Sequence, residues 1–280
     1  VTYSTIVFHI DDKYNDIVNF FPNNIINVKN YGAVGDGKTN DTQAFIKAIN
    51  ALQALLDFTF FTNGQTPYIF EIPNGTYNIT STLTFPAYGT APNIKSLTAG
   101  IVIKGNESTL LLNGNNLNFN GGYFVIKDLN IKNAGTAFNF PHTFSPYVYI
   151  SNVNVFSATN GFIFAGTYLC ELNKCYVSAT NTAYSFTGTG TTVTLISCYA
   201  NNGVNGYVFN GYLYSSLINC AADSLTNPYQ FTDCNIGVIN CGAEKHTNYA
   251  IQLNGENYIN VEGFVSANGN TGVFYNNTTT

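Results

Sequence analysis

Residues 172–200 read LNKCYVSATNTAYSFTGTGTTVTLISCYA and hold one period of a repeat that continues towards the end of the chain. Cys175 and Cys198 mark equivalent points of this repeat and lie 23 residues apart. Leu172 and Leu195 stand three residues before them, and apolar side chains follow each cysteine at a spacing of two. Spacing by two is typical of β-strands that bury one side. The stretch therefore predicts short strands that recur with a fixed period.

Seven copies of this repeat align along the chain, at intervals of 21 to 24 residues. Each copy is numbered from an anchor residue at position 0, and the seven anchors are Leu129, Val153, Cys175, Cys198, Cys220, Cys241 and Phe264. Apolar residues recur at positions −5, −3, 0, +2, +9 and +11, with a shift of one in the copy that contains Ile251 and Leu253. Each copy thus holds three strand-like pairs of apolar residues.

Three strands and three bends within about 22 residues describe one turn of a parallel β-helix. The odd step from position −3 to position 0 requires a bend, and residues that suit bends stand there. These residues are Asn152, Ser197, Asn219 and Asn240. Leucine-rich repeats need a half that can form helix, and propeller blades need about 40 residues. The sequence therefore predicts an all-β fold, a single-stranded right-handed parallel β-helix of about nine coils with a repeat of about 22 residues.

The stacking of turns about 4.8 Å apart explains the cysteines. Four of them occupy position 0 in successive copies: Cys175, Cys198, Cys220 and Cys241. Cys170 takes the inward position −5, and Cys234 lies near a bend. We expect buried free thiols, because a disulfide between adjacent turns would have an unfavourable direction. No Cys-x-x-Cys pair or histidine partner indicates a metal site, so we expect neither a metal nor a cofactor.

The composition excludes several classes of protein. Hydrophobic residues make up 45% of the 280 residues, enough for a large core, while charged residues make up 9%. All ten basic residues are lysine and the net charge is −5, which argues against nucleic acid as a partner. No apolar run reaches the roughly 18 residues of a membrane span. The polar surface is supplied by Asn, Thr, Ser and Tyr and only to a small extent by charged residues. This composition favours an extracellular or virion-surface location.

Both ends of the chain indicate processing or truncation. The chain does not begin with Met and has no signal-peptide pattern, which predicts a processed chain. It ends at NNTTT directly after the seventh copy, with no visible cap. We therefore expect a piece of a longer protein, or an end that another subunit covers.

Residues 26–56 precede the regular copies and contain an amphipathic helix. Thr39 is its predicted N-cap. Apolar residues then follow at helical spacing: Ala44, Phe45, Ala48, Ile49, Leu52 and Leu56. Such a helix would cover the first coil, whose open strand edges would otherwise invite aggregation. We expect a lead segment at 1–25 and one β-helix domain at 26–280, capped by this N-terminal α-helix.

The segments NYGAVGDGKTNDTQAF (30–45) and EIPNGTYNI (71–79) resemble the opening of the pectate-lyase-superfamily (pectin lyase-like) β-helix domain. That domain occurs in polygalacturonase-like enzymes, exo-glucanases, and phage tailspike and appendage proteins. In that family the first segment is similar to a capping element, so the resemblance implies structural roles for Asp36, Asp41 and Thr42. It also implies that the protein handles polysaccharide.

The enzymatic motifs of that family are missing. Polygalacturonase-like enzymes carry Asn-Thr-Asp, Asp-Asp, Gly-His-Gly and Arg-Ile-Lys segments, and none of them occurs between residues 26 and 280. Pectate lyases use an Arg as base, and this chain contains no Arg. Lyase arrangements that use Lys, His or Tyr stay open.

One pair of carboxyl groups is a candidate for catalysis. Asp223 and Glu244 both occupy position +3, in adjacent copies, and His246 follows closely. Glycoside hydrolysis needs two carboxyls, about 5 to 5.5 Å apart for retention or about 6.5 to 9.5 Å for inversion. Proximity would raise one pKa, as general acid catalysis requires. The competing interpretation is a pair of solvated loop residues.

Outward positions carry tyrosines beside amide and hydroxyl side chains. Tyr176 and Tyr199 share position +1 in adjacent copies, with Asn201 close by. Tyr149 and Tyr214 lie on nearby copies. Rings with hydrogen-bonding neighbours suit neutral sugars, or the faces by which spike subunits associate.

These patterns predict a surface or virion appendage protein, similar to tailspike and adhesin β-helices. It would recognise a neutral glycan or a host-surface component, as a homo-oligomer (a trimer) or as part of a larger appendage. A polysaccharide hydrolase or lyase is the first alternative. A structural spacer or filament subunit is the second.

Overall fold

The structure, a computed structural model, describes residues 24–59, 68–86, 100–120, 122–141, 147–188 and 190–276, with the backbone alone at 57–59 and 270–276. Residues 1–23 of the predicted lead segment lie outside these ranges. Within them the chain forms a right-handed parallel β-helix, as the repeat predicted. The first strand already pairs with a strand of the next turn, so the β-helix includes Ile25.

The described residues form one α-helix, one 3-10 helix and 22 strands. Helix α1 spans Thr42–Thr59, and the 3-10 helix spans Val28–Tyr31. The strands are β1 (Ile25–Asn27), β2 (Asp36–Asn40), β3 (Tyr68–Glu71), β4 (Thr76–Asn78), β5 (Leu83–Phe85), β6 (Ile101–Leu111), β7 (Leu117–Phe119), β8 (Tyr123–Lys132), β9 (Thr136–Phe140), β10 (Tyr147–Phe164), β11 (Leu169–Asn173), β12 (Tyr176–Phe186), β13 (Thr192–Ile196), β14 (Tyr199–Asn210), β15 (Ser215–Ile218), β16 (Ala221–Thr232), β17 (Asn235–Ile239), β18 (Gly242–Glu244), β19 (Tyr249–Asn254), β20 (Tyr258–Glu262), β21 (Val265–Ala267) and β22 (Asn270–Asn276).

Each regular turn has three straight segments, which form three faces of the β-helix. The first face comprises positions −6 to −2, the second face positions 0 to +3, and the third face positions +7 to +11. In the turn anchored at Cys198, β13 lies on the first face and β14 carries the other two. Parallel pairing places equivalent positions side by side, as in Tyr176 with Tyr199 and Asn201 with Asp223. The alignment of the repeats is therefore confirmed.

Left-handed residues form two corners in most of the turns. At position −1, between the first and second faces, φ lies between 51° and 57° in six turns. The four predicted bend residues are confirmed there, and Lys174 takes the same conformation with φ of 52°. A second corner lies at position +4, where Asn202, Ser224 and Lys245 have φ of 55°, 57° and 47°. The alternation of inward and outward side chains restarts after each corner, which decides how the next residues point.

The inward side chains stack in columns along the axis. Position +9 forms a column of rings whose centroids lie 4.7 to 5.5 Å apart, and its members are Phe138, Phe162, Tyr184, Tyr207 and Tyr229. Position +11 forms a second column with centroids 4.5 to 6.0 Å apart, made of Phe140, Phe164, Phe186, Phe209 and Phe231. These columns confirm the predicted inward pairs.

All six cysteines are buried and free, as expected. The four at position 0 form one inward column, in which the Cys241 sulfur accepts the N–H of Cys220 at 3.3 Å. Thiols of this column reach carbonyl oxygens of two turns, as Cys198 does with Leu172 at 3.4 Å and Ile196 at 3.6 Å. Burial raises the pKa of Cys198 far above its usual range. The column therefore packs the interior in the thiol form.

Helix α1 covers the first turn of the β-helix. Its Phe45 ring packs on Tyr77, with 5.3 Å between ring centroids. The prediction that Thr39 caps the helix is wrong, because Thr39 lies in β2 and the helix begins at Thr42. The cap position belongs to Asp41, whose carbonyl accepts the first helical bond from the N–H of Phe45 at 3.1 Å.

The segment before the helix is held by its own polar side chains. The carboxylate of Asp41 is 1% exposed and accepts the N–H groups of Val34 at 2.7 Å and Gly35 at 3.3 Å. The carboxylate of Asp36 accepts the N–H groups three and two residues further on, which lowers its pKa. The Thr42 hydroxyl accepts a backbone N–H at 2.7 Å. These contacts agree with the structural roles that the resemblance implied for the three residues.

The β-helix has about seven turns, fewer than the nine predicted. Before β6, α1 and the short strands β1 to β5 take the place of full regular turns in the described residues.

The buried tyrosines predict a loss of stability in alkali. Burial raises the pKa of Tyr184, Tyr207 and Tyr229 well above the usual value of 10.0. The folded state therefore holds protons that an unfolded chain begins to lose near pH 10, so the free energy of unfolding should fall as the pH rises further. Tyrosinate absorbance and circular dichroism, recorded against pH, should change together. Ionisation of all 20 tyrosines near pH 10 with an intact sheet signal would contradict this.

Candidate functional site

The second face presents positions +1 and +3 to the outside, and most of the predicted site residues meet there. The rings of Tyr176 and Tyr199 stack, with 5.6 Å between centroids and 17° between planes. Each ring reaches towards the following turn. The Tyr199 hydroxyl donates to Oδ2 of Asp223 at 3.2 Å, and the Tyr176 hydroxyl accepts from Nδ2 of Asn201 at 3.0 Å. The structure therefore brings four predicted residues into contact.

Asp223 and Glu244 are direct partners on the adjacent strands β16 and β18. Neighbouring strands lie about 4.8 Å apart, so the two carboxylates share one edge of the second face. The Asp223 carboxylate also accepts the Ser224 hydroxyl at 2.9 Å and lies 3.8 Å from Nζ of Lys245. Glu244 is exposed. The Tyr–acid surface is the name we give to the group Tyr176, Tyr199, Asn201, Asp223 and Glu244.

The Tyr199 phenol is a donor over the physiological pH range. Partial burial, the charge of Asp223 and the hydrogen bond between the two side chains raise the pKa of Tyr199 to about 12. A phenol that keeps its proton can donate this hydrogen bond to the carboxylate. This hydrogen bond therefore fixes the ring at the edge of the carboxylate pair.

The aromatic row steps down to small residues beyond Tyr199. Position +1 of the next two turns carries Ala221 and Gly242. Ala221 has only a methyl group and Gly242 has no side chain, so the outer surface lies lower there than over the tyrosine rings, and we call this lower part the recess. On the other side, Phe156 is 36% exposed and packs on Tyr176, with 5.4 Å between centroids. The aromatic surface thus extends over three turns and ends in an acidic recess.

His246 does not join this surface. Its side chain is 4% exposed, with Nδ1 at 2.6 Å from the Asn248 carbonyl and Nε2 at 3.0 Å from the Ser266 hydroxyl. The residue follows the corner at Lys245, and the equivalent position of the preceding turn holds the buried Leu225. The structure therefore places His246, which was predicted as a catalytic residue, apart from Asp223 and Glu244, because its ring fills the interior.

Tyr149 and Tyr214 also lie apart from the Tyr–acid surface. Tyr149 is on the first face, where it pairs with Val125 and Glu171. Tyr214 stands at position −6, where the first face begins, with φ of 56°, and is 72% exposed. The bend at position −1 separates the first face from the second. A ligand on the Tyr–acid surface would therefore not need these two tyrosines.

The third face carries an outward polar row that was not predicted from the sequence. Position +7 carries Thr136, Asn160, Thr182, Asn205, Asn227 and Asn248. Amide groups bond from one turn to the next, as Asn227 does to Asn205 at 3.0 Å and Asn248 to Asn227 at 2.6 Å. The same alignment of repeats contains this row, so the signal was present in the sequence. The row stabilises the stack of turns through side-chain hydrogen bonds.

Two features are absent from the part of the chain that the structure describes. No group of three or more His, Cys, Asp or Glu side chains there is placed to hold a metal ion. No helix there is long and apolar enough to cross a membrane.

The geometry defines a helix-capped parallel β-helix with an aromatic and acidic outer surface. The chain belongs to the rhamnogalacturonase A/epimerase, pectate lyase-like family, whose profile matches residues 25–280. This confirms the resemblance carried by residues 30–45 and 71–79. No curated protein matches the chain significantly.

Solved structures with a similar fold come from a virus, a phage and a bacterium. ORF18 of Geobacillus virus E2 is 16% identical with a TM-score of 0.45, and the match covers 97% of this chain and 65% of that protein. The phiAB6 tailspike, solved with oligosaccharides of Acinetobacter baumannii surface polysaccharide, is 14% identical with a TM-score of 0.38, covering 89% and 49%. The Streptococcus pneumoniae adhesin PfbA is 10% identical with a TM-score of 0.32, covering 91% and 92%. The chain thus spans about two thirds of the viral protein, and likenesses at this level carry no argument about function.

Proposed function

We propose that this protein is a surface or virion appendage β-helix that binds a neutral glycan, or a host-surface component that carries one, through the Tyr–acid surface. The observation that carries the proposal is the stacked pair Tyr176 and Tyr199, each anchored through its hydroxyl to a polar residue of the next turn. Stacked rings that are held in place bind with little loss of conformational freedom. The protein needs no catalytic step for this function.

The charges beside the rings favour a neutral ligand. Asp223 and Glu244 contribute two negative charges, and Lys245 contributes one positive charge. The carboxylate oxygens accept hydrogen bonds from sugar hydroxyls, while a carboxylated or sulfated sugar would meet like charge. The recess over Ala221 and Gly242 gives a sugar ring access to these oxygens.

A glycan array tests the proposal. We expect the full chain to bind neutral oligosaccharides and to bind uronate-rich or sulfated ones more weakly. The control is the variant Tyr176→Ala/Tyr199→Ala on the same array, which should lose the neutral signals. The proposal would be contradicted if the wild-type chain bound no glycan, or if both proteins bound equally.

A polysaccharide hydrolase or lyase is the second candidate. The observation that favours it is the pairing of Asp223 with Glu244 on adjacent strands. The backbones of the two residues lie about 4.8 Å apart, so their carboxyl groups project from neighbouring points. On this hypothesis one carboxyl acts as general acid and the other as base or nucleophile.

Release of reducing ends from the bound glycan tests the second candidate. If the pair is catalytic, Asp223→Asn and Glu244→Gln should each lower the rate by about 10²- to 10⁴-fold, while Lys245→Gln should leave a measurable rate. Cleavage that is unchanged in both carboxyl variants would exclude this site.

The assembly belongs to the same proposal. We propose that the protein acts outside the cell or on a virion, as a homo-oligomer such as a trimer or as part of a larger appendage. Only 9% of the residues of the chain are charged, which supports association through polar and aromatic side chains.

A further inference from the structure

The recess of the Tyr–acid surface has apolar side chains on both sides along the axis of the β-helix. Gly242 pairs with Val265, so the column at position +1 continues from the recess to a branched apolar side chain. Val265 is 65% exposed. The backbones of Tyr199 and Val265 are three turns apart, which corresponds to about 14 Å along the axis. The Tyr199 ring thus stands on one side of the recess and Val265 on the other.

The column at position +3 also continues to an apolar side chain. Asp223 pairs with Glu244, and Glu244 pairs with Ala267 on the next strand. The two carboxylates are therefore followed by a methyl group at position +3 and by Val265 at position +1. Hydrogen-bond acceptors lie here beside exposed apolar surface. Such a surface suits a chemical group that carries a polar hydrogen and a methyl group side by side.

The two carboxylates keep free capacity to accept hydrogen bonds. Asp223 accepts the hydroxyl groups of Tyr199 and Ser224 at 3.2 and 2.9 Å, which uses two of the roughly four acceptor positions of a carboxylate. Glu244 is exposed and accepts no hydrogen bond from the residues whose side chains the structure describes. Its charge contributes to the raised pKa of Tyr199, so it lies near that ring. A ligand in the recess can therefore donate to Glu244 without displacing a contact within the protein.

We infer that the recess binds the acetamido group of an N-acetylhexosamine, with the amide N–H donated to the Glu244 carboxylate and the methyl group packed on Val265. This deepens the proposed function and rests on it, because it names the sugar that the Tyr–acid surface binds. A hydrogen bond from an N–H to a charged carboxylate is stronger than one between neutral groups. The methyl group leaves water when it contacts the apolar side chain, which adds to the affinity. The acetamido group has no charge, in agreement with a neutral ligand.

Other sugars fit only one half of this arrangement. A hexose with a hydroxyl group in place of the acetamido group can donate to Glu244, but it has no methyl group for Val265. A 6-deoxyhexose has a methyl group, but that group carries no polar hydrogen. An unacetylated hexosamine is a cation that the carboxylates attract, but it places a charge against the apolar side chain. Of these four sugars, the N-acetylhexosamine fits both halves.

Saturation-transfer NMR on the full chain tests the inference with sugars that differ at one carbon. The probes are the methyl glycosides of glucose and galactose, and those of the 2-acetamido and 2-amino derivatives of each. We expect the better-bound acetamido sugar to bind at least about 10-fold more tightly than its hydroxy and amino counterparts, the effect of a well-seated methyl group. Its acetyl methyl protons should receive the strongest saturation, because they contact the protein.

Two variants assign the contacts. Val265→Ser removes the apolar partner of the methyl group and should weaken binding of the better acetamido sugar about 10-fold, with no change for its hydroxy counterpart. Glu244→Gln replaces a charged acceptor by a neutral one and should weaken binding of the acetamido sugar about 5-fold. The matched control is Val204→Ser, at a side chain that is 41% exposed and lies outside the second face, and it should bind like the wild type.

The comparison of sugars decides the inference even where a variant fails to fold, because it needs only the wild-type chain. Equal affinity for each acetamido sugar and its hydroxy counterpart, or tighter binding of a 2-amino sugar, would overturn the inference. A Val265→Ser variant that folds and binds the acetamido sugar like the wild type would overturn it as well.

The glycan array with Tyr199→Ala separates this inference from the proposed function, and it also decides where single sugars bind too weakly to compare. Signals confined to glycans with an N-acetylhexosamine, and lost in Tyr199→Ala, would support both. If the wild-type chain binds neutral glycans that lack acetamido groups and Tyr199→Ala loses them, the proposed function stands and the inference fails. If the wild-type chain binds no glycan, both fail.

Discussion

Replacement of Tyr207 by alanine should lower the free energy of unfolding by about 3–5 kcal/mol, the cost of truncating a fully buried aromatic side chain. Its ring is stacked between Tyr184 and Tyr229, with centroids 4.9 Å away on both sides. Its hydroxyl lies 2.8 Å from the Cys198 carbonyl and 3.0 Å from the Ala221 carbonyl. The variant would leave a cavity in the column and a buried carbonyl without its donor. Urea unfolding followed by circular dichroism measures the loss.

Two further variants show which part of the side chain matters. Tyr207→Phe keeps the ring and should cost about 1 kcal/mol, the value of one hydrogen bond. Val204→Ala lies in the same strand, at a side chain that is 41% exposed, and should cost less than about 0.5 kcal/mol. If Tyr207→Ala cost as little as Val204→Ala, the aromatic column would not lie in the interior.

Replacement of Tyr199 by alanine should weaken glycan binding by about 30- to 100-fold, since a central aromatic anchor contributes about 2 kcal/mol or more. The variant removes the ring that borders the recess, and it removes the hydroxyl that donates to Asp223 at 3.2 Å. The ring is only half-buried, so the fold should persist. Calorimetric titration with the oligosaccharide selected on the array measures the change.

Tyr149 provides the matched control for that titration. It is a half-buried outward tyrosine like Tyr199, but it lies on the first face. Tyr149→Ala should therefore leave the affinity unchanged, and Tyr199→Phe should give an intermediate loss. Equal losses for Tyr149→Ala and Tyr199→Ala would show that the Tyr–acid surface is not where the glycan binds.

The sequence predicts the scaffold well because stacked turns repeat their chemistry. Cys175 and Cys198 occupy one column because the same position of the repeat points inward in both turns. The bend at Asn219 is readable because the apolar spacing changes from two to three there. Asp223 and Glu244 could be paired for the same reason, by counting from their anchors.

The sequence does not reveal directly where a corner reverses the direction of the side chains that follow it. His246 lies two residues after Glu244, but the left-handed Lys245 lies between them and turns the ring inward. The buried Leu225 at the equivalent position was a usable signal. Thr39 failed as a helix cap because Asp36–Asn40 pairs as a strand, a long-range contact that local spacing does not reveal.

The most direct test of the account is a crystal structure of the protein with its best-binding neutral oligosaccharide. We expect a sugar ring against Tyr199, above Ala221 and Gly242, with hydroxyl groups within hydrogen-bond distance of the Asp223 or Glu244 carboxylate. A sugar bound to the amide row of the third face, with the Tyr–acid surface empty, would contradict this proposal.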